Sequence, residues 1–164
     1  MLVLVINCGS SSVKYDLIET SDNSDVCKGL IERIGAVTSI VKHEAAGQKA
    51  TKDSRNIANH VEALKEIMGY LMNPENKIIG STSDIKAVGH RVVHGGEMFK
   101  DSVLIDDKVL EAIEQAIDLA PLHNPPNLKG IQAALEYLPN VPHVPSCSTW
   151  SRRRNCRSTT CTPC

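Results

Sequence analysis

The sequence predicts an α/β domain in which a β-rich opening sheet is followed by helices alternating with further strands. Three observations carry that prediction. Residues 1 to 45 hold apolar stretches with the period of two expected of strands, separated by Gly and Ser turns. From Ile57 the apolar period changes to three and four, the spacing of an amphipathic helix. Beyond Val93 two more helical patterns are each stopped by a proline, and a last apolar run begins at Val141.

Leu2 to Ile6 is a continuous β-branched and aliphatic run, the mark of a strand buried on both faces, and it ends at the turn Asn7-Cys8-Gly9-Ser10-Ser11-Ser12. Val13 to Glu19 alternates Val13, Tyr15 and Leu17 with Lys14, Asp16 and Ile18, which suits a strand returning antiparallel to the first. Val26 to Ile34 and Val37 to His43, separated by Gly35, extend this hairpin into a meander. Ile57, Val61, Leu64, Met68 and Leu71 then line one face of a helix that Asn73-Pro74 ends. Ile85 to Val93 reads as a buried strand that delivers polar groups near its end, at Gly89, His90 and Arg91, and stops at His94-Gly95-Gly96. A helix follows from Lys108 to Leu119, with Asp106 or Asp107 as its N-cap and Pro121 as its stop. Another runs from Asn127 to Leu138 before Pro139, and Val141 to Val144 begins one more strand.

A chain of 164 residues is long enough for one core, and 41% apolar with 23% charged residues is the balance of a soluble globular protein. The apolar start Met1 to Ile6 is too short for a signal-peptide core or a spanning helix, so a cytoplasmic chain with no membrane partner is expected. A net charge of −1 argues against a nucleic-acid partner. Residues 145–164 differ in kind: Arg152, Arg153, Arg154 and Arg157 stand there without an acid, and Trp150 is the sole large apolar residue. No core can be built from that composition, so disorder is expected. The boundary falls inside an incipient strand, which points to a change of reading frame or a wrongly joined gene model after Val144. Read one base back from Pro145, codons for this stretch can encode Ala-Val-Val-Phe-Asp. Cys161 and Cys164 have a C-x₂-C spacing, but Cys147 and Cys156 do not repeat it and zinc-ribbon scaffold residues are missing, so no zinc module is expected.

Three motifs carry chemistry. In the strand, turn, strand unit from Asn7 to Lys14, Gly9 lets backbone approach an anion, Ser10 and Ser12 offer hydroxyls, Lys14 adds a compact cation and Asn7 can hold a metal-bound water. The alternative is a solvated hairpin turn. Neither a Walker loop nor a dinucleotide fingerprint occurs. In Gly89 to Gly96, Arg91 offers a planar fork for a carboxylate or phosphate; the alternative is a buried ion pair with a protein carboxylate. His90 and His94, four apart on a strand, make no compact metal pair. Ala120 to Asn127 reads as a proline-stiffened loop displaying His123, or as a plain helix stop with Asn127 as the next N-cap.

In this order and spacing the three motifs resemble those of the acetate kinase family, the acetate, propionate and butyrate kinases, over nearly all of residues 1–144. The matching runs are Asn-x-Gly-Ser-Ser-Ser-x-Lys, Gly-His-Arg-Val-Val-His-Gly-Gly and Pro-Leu-His-Asn-Pro-Pro-Asn. The resemblance implies the N-terminal lobe of an actin-like, ribonuclease-H-like ATPase, a mixed sheet with helices, here truncated. It implies ATP and Mg²⁺ or Mn²⁺ as the nucleotide and metal, acetate or propionate as acceptor, acetyl phosphate and ADP as products, and a homodimer for the intact enzyme. By the same resemblance Asn7 is the metal-site residue, and Lys14 with Gly9, Ser10 and Ser12 contacts nucleotide phosphates. Arg91 clamps the acceptor carboxylate, Val93 and Leu122 line a methyl pocket, and His123 faces the phosphates.

The family's next motif, a strand ending in Phe-Asp and then Thr-Ala-Phe-His, is absent, and with it the catalytic Asp; Ser148 stands near its expected place. The resemblance also implies a second lobe carrying a phosphoryl-stabilising Arg, an acidic metal ligand, the adenosine pocket and most of the dimer interface. Two readings follow: half of a kinase, inactive alone, or a non-catalytic lobe that binds phosphate or acetate.

Overall fold

The computed structural model describes residues 1–93 and 103–147. Five strands open the chain: β1 Leu2–Cys8, β2 Ser12–Glu19, β3 Ser24–Glu32, β4 Ser39–Ala45 and β5 Thr51–Arg55. Helix α1 His60–Leu71 leads to β6 Ile85–Val92, and α2 Asp107–Gln115 with α3 Asn124–Tyr137 leads to β7 His143–Cys147. The sheet order is β5-β4-β3-β2-β1-β6-β7. The first five strands are antiparallel neighbours in chain order, whereas β6 lies parallel to β1 and β7 parallel to β6. The chain therefore leaves β1 in both directions across the sheet, the kind of switch point beside which α/β folds bind ligands.

The antiparallel hairpin and meander agree with the sequence pattern, and β5 adds a strand that the pattern hides. Its residues Thr51, Lys52, Asp53, Ser54 and Arg55 are all exposed and none is apolar. They make an edge strand, and charge at an edge blunts pairing with other chains. The first strand is not buried on both faces: Leu4, Ile6 and Cys8 are buried while Leu2, Val3, Val5 and Asn7 are half-buried. Among the described residues one face alone is packed. Against it lie Ala63, Leu64, Ile67, Met68 and Leu71 of α1 and Ala133 and Ala134 of α3. Each large aliphatic or Met side chain so buried contributes about 1.5–3 kcal/mol. A smaller cluster of Val92, Val109, Ile113 and Ile131 joins α2 and α3 to the end of β6.

Helix ends follow cap chemistry more than apolar period. Helix α1 starts three residues after Ile57 because Asn59 caps it, its side chain accepting from Glu62 N, while Ile57 is buried ahead of the helix. Asp106 caps α2 through Val109 N, and the α-helix stops at Gln115, with a 3₁₀ turn Ala116–Leu119 completing the run. Helix α3 begins at Asn124, not Asn127, because Pro125 and Pro126 occupy its first turn, where no backbone donor is needed. Asn124 is buried instead, its amide donating to the Ile113 and Ala116 carbonyls that end α2. The last strand runs to Cys147, paired with Val92, so residues 145–147 belong to the sheet. His94, Ser148, Cys156, Cys161, Cys164 and the expectations attached to them lie outside the described residues.

Three of the described histidines are buried. His43 Nδ1 bonds the Tyr15 hydroxyl at 2.8 Å and stacks on Tyr70 at 3.9 Å, while its Nε2 has no partner. His143 Nε2 donates to the Leu138 carbonyl at 3.0 Å, so in a neutral His143 ring Nδ1 is left to accept from His90 Nε2 at 2.9 Å. Burial, and for His43 also the charge of Arg55, lowers its pKa to about 4; burial and the His143 ring lower that of His90 to about 3. Burial also lowers His143. These groups bind fewer protons folded than unfolded. Their stabilising contribution is therefore complete above the unfolded value of 6.5 and is lost as pH falls below it toward 4 and 3. His90 alone imposes a slope of up to about 1.4 kcal/mol per pH unit in that window. The expected outcome is a urea midpoint that falls steeply from pH 7 to pH 5 and falls less in His43→Phe. An identical midpoint at both pH values contradicts the assignment.

Candidate functional site

Strand alternation brings three of the expected site residues onto one face. Ile6, Val13, Tyr15 and His90 are buried toward the helices, so Asn7, Lys14 and Arg91 project from the opposite face. Asn7 is paired directly with Lys14, and the parallel register that matches Ile6 with His90 carries Asn7 level with Arg91. Three adjacent strands thus place Arg91, Asn7 and Lys14 in a row about 10 Å long, at roughly 4.8 Å per strand. Gly89 precedes Arg91 on the same face, beside Val5, and leaves the surface there without a side chain.

The buried ion pair considered for Arg91 is excluded. Arg91 is exposed, and no acid among the described residues pairs with it. Lys14 lies 3.3 Å from Asp16, an exposed contact worth little. The row therefore offers two cations, a neutral amide and one carboxylate. His90, by contrast, is a structural residue tied to His143 and offers no metal ligand.

The turn joining β1 and β2 sits at the end of the same row. Gly9 N donates to Ser12 O at 2.8 Å, and a Cβ on Gly9 would lie 2.9 Å from Ser12 Oγ, a side-chain end that can turn aside. Its φ is not positive, so conformational freedom is not what selects glycine in the resting turn. Ser10 faces a cleft of about 480 Å³ between the starts of α1 and α3, lined also by His60, Pro125, Pro126 and Lys129. The amides of Ser10 and Ser11 have no acceptor among the described residues.

Helix α3 is anchored to this end of the sheet by a residue that the sequence reading treated only as a cap. Asn127 is buried and donates from Nδ2 to Cys8 O at 2.6 Å, while its Oδ1 accepts from Val93 N at 3.2 Å. It ties the ends of β1 and β6 together across the switch point. His60 donates from Nε2 to Gly9 O at 2.8 Å and was likewise not singled out. The signal available in the sequence was a polar residue on an otherwise apolar helix face, which does not say what it bonds.

Leu122 and His123 occupy the connection just ahead of α3 and both are exposed, Leu122 to 76%. Leu122 belongs to neither buried apolar cluster, and Val93 is half-buried. The geometry thus gathers Asn7, Gly9, Ser12, Lys14 and Arg91 at one end of the sheet, with His123 one helical turn beyond Asn127.

The model of the Acetokinase family matches residues 2–150. The chain belongs to the acetokinase family. Within it, the acetate kinase of Caldanaerobacter subterraneus subsp. tengcongensis is 50% identical over 144 residues, covering 88% of this chain and 36% of that protein. The acetate kinase of Thermotoga maritima is 52% identical over the same length and share. The crystal structure of Porphyromonas gingivalis acetate kinase superposes with a TM-score of 0.86 at 40% identity, covering 91% of this chain and 37% of that one. A propionate kinase from Francisella tularensis gives 0.82 at 36% identity, with the same coverage. The mixed sheet with its helices is thus the N-terminal domain of the acetokinase fold, and the chain spans about a third of the length of the relatives it matches. No described helix is long and apolar enough to cross a membrane.

Proposed function

We propose that this chain is the N-terminal half-site of a kinase that transfers phosphate between ATP and acetate or propionate. The observation that carries the reading is the row of Arg91, Asn7 and Lys14 beside a turn whose Ser10 and Ser11 amides have no acceptor among the described residues. A carboxylate acceptor is ionised at neutral pH, so no general base is needed to activate it. The work left is positioning and charge neutralisation, which is the usual demand of phosphoryl transfer.

In this reading Arg91 grips the acceptor carboxylate with its planar fork, a geometry that lysine does not reproduce. Lys14 and the Gly9 to Ser12 turn meet phosphate oxygens, and His123 stands at the mouth. Val93 and Leu122 limit the length of the acceptor's apolar tail; an exposed Leu122 fits that role once a neighbouring surface covers it. The Francisella propionate kinase supports keeping propionate beside acetate as acceptor.

Magnesium keeps most of its waters and takes one or two protein ligands plus substrate phosphates. The half-buried amide of Asn7 fits one such outer contact. Among the described residues no group of three His, Cys, Asp or Glu stands ready to hold a metal. Family resemblance places an acidic metal ligand in a second lobe, and the metal would neutralise phosphate charge when bound.

The test uses a full-length chimera in which residues 1–144 of this chain replace the matching segment of the Thermotoga maritima acetate kinase. Arg91→Ala in it is expected to raise the acetate KM by about 100-fold, the worth of a charge-assisted bidentate contact of about 2–3 kcal/mol. The ATP KM should stay within about twofold, and Arg91→Lys should recover little. An unchanged acetate KM with collapsed ATP affinity contradicts the role given to Arg91.

A further inference from the structure

We propose that His60, at the start of α1, is a positioning residue that holds the Gly9 to Ser12 turn with its amide donors facing the ligand; the inference rests on reading that turn as a phosphate site. A carbonyl oxygen facing a phosphate repels it, so an anion-binding turn must dispose of its carbonyls elsewhere. Four of the five carbonyls from Cys8 to Ser12 are so disposed: Cys8 O is taken by Asn127, Gly9 O by His60, Ser11 O by Ile34 N at 3.0 Å and Ser12 O by Gly9 N, while Ser10 O has no donor among the described residues. The Ser10 and Ser11 amides are left without acceptors.

His60 holds the most consequential of these carbonyls. In a simple hairpin turn Gly9 O would accept across the turn from Ser12 N, but here its partner is a side chain 51 residues away. A trans peptide sets C=O and N–H in opposite directions. With Gly9 O turned into α1, the Ser10 N–H of the same peptide is aimed away from it. Glycine gives that peptide little resistance to flipping, and a flip would present the oxygen in place of the amide. Because a carbonyl only accepts, the His60 bond requires a proton on Nε2. His60 touches no ligand in this account and acts through the Gly9 peptide.

The test titrates the ¹⁵N-labelled 164-residue chain with inorganic pyrophosphate and follows the Ser10 and Ser11 amides. The wild type should show saturable shifts at both. His60→Ala should weaken binding by about tenfold, the worth of one oriented hydrogen bond. His60→Gln, whose amide reaches to the Nε2 position, should return to within about threefold of wild type. His60→Asn, which stops short of Gly9 O, should behave as the alanine variant. Thermal unfolding of all four proteins separates this pattern from a loss of fold, since a merely structural role would rank the variants by stability. Wild-type affinity in folded His60→Ala, or no advantage of Gln over Asn, overturns the inference. A wild type whose Ser10 and Ser11 amides ignore pyrophosphate also overturns it. A parallel titration with acetate, read at the Arg91 side-chain N–H, shows whether the half-site reading survives that failure.

Discussion

Expressed as the 164-residue chain, this lobe is expected to form no acetyl phosphate above a vector control in a hydroxamate assay, using a host without its own acetate kinase. Phosphoryl transfer needs groups on both sides of the migrating charge, and the chain spans only 36% of the length of its kinase relatives. Family resemblance assigns the missing part a phosphoryl-stabilising Arg, and one such arginine is worth about 10³ to 10⁵ in rate. The same resemblance places the catalytic Asp and the adenosine pocket outside residues 1–144 as well. In the proposed reading Arg91, Asn7 and Lys14 gather an acceptor and phosphate oxygens but do not surround the transferred group. Turnover by the purified chain alone would refute this outright.

The largest effect expected on stability comes from one methyl group. In Gly29→Ala the added Cβ would stand 2.4 Å from Tyr15 Cε1 and 2.6 Å from Lys42 O. The Tyr15 ring cannot retreat, because it is fully buried and its hydroxyl is held between His43 Nδ1 at 2.8 Å and Cys27 Sγ at 3.4 Å. Lys42 O is backbone of the neighbouring strand β4. Overpacking a core usually costs about 1–3 kcal/mol, and a collision with backbone lies at or above the top of that range. Domains of this size hold only about 5–15 kcal/mol in all, so Gly29→Ala should lose about a fifth or more of its stability in urea unfolding. Gly69→Ala is the internal contrast. Gly69 sits exposed in α1 with nothing within 4 Å of its Cβ position, and the substitution should stabilise by about 0.8–1 kcal/mol. Equal midpoints for the two variants would contradict the packing described for β3.

The opening hairpin, the meander and the three helices were legible from their apolar period, though not their exact ends. The alternation of Val13, Tyr15 and Leu17 foretold which face of β2 is buried, and hence that Lys14 faces the other way. Strand β5 was not legible, since Thr51 to Arg55 form an edge with no apolar face to mark them. The burial of Arg91 was misjudged for a related reason. A run such as Ile85 to Val93 shows that a strand is present, but not whether its second face meets a helix, and in this chain only the first does. The start of α3 was placed three residues late because Pro125 and Pro126 read as loop-stiffening residues, while prolines also suit a helix's first turn. Literal motifs carried Asn7, Gly9, Lys14, Arg91 and His123. The supporting bonds of Asn127 and His60 span more than a hundred and about fifty residues, and such long-range pairings leave no local trace.

The half-site account is tested most directly by reassembly in the same assay. This chain is mixed with the separately expressed C-terminal two-thirds of the Thermotoga maritima acetate kinase, and acetyl phosphate is measured with ATP, magnesium and acetate. The account predicts no turnover from either part alone, turnover on mixing, and its loss when the lobe carries Arg91→Ala. Mixed activity that is indifferent to Arg91→Ala would show that the lobe does not supply the acceptor clamp and would contradict the account.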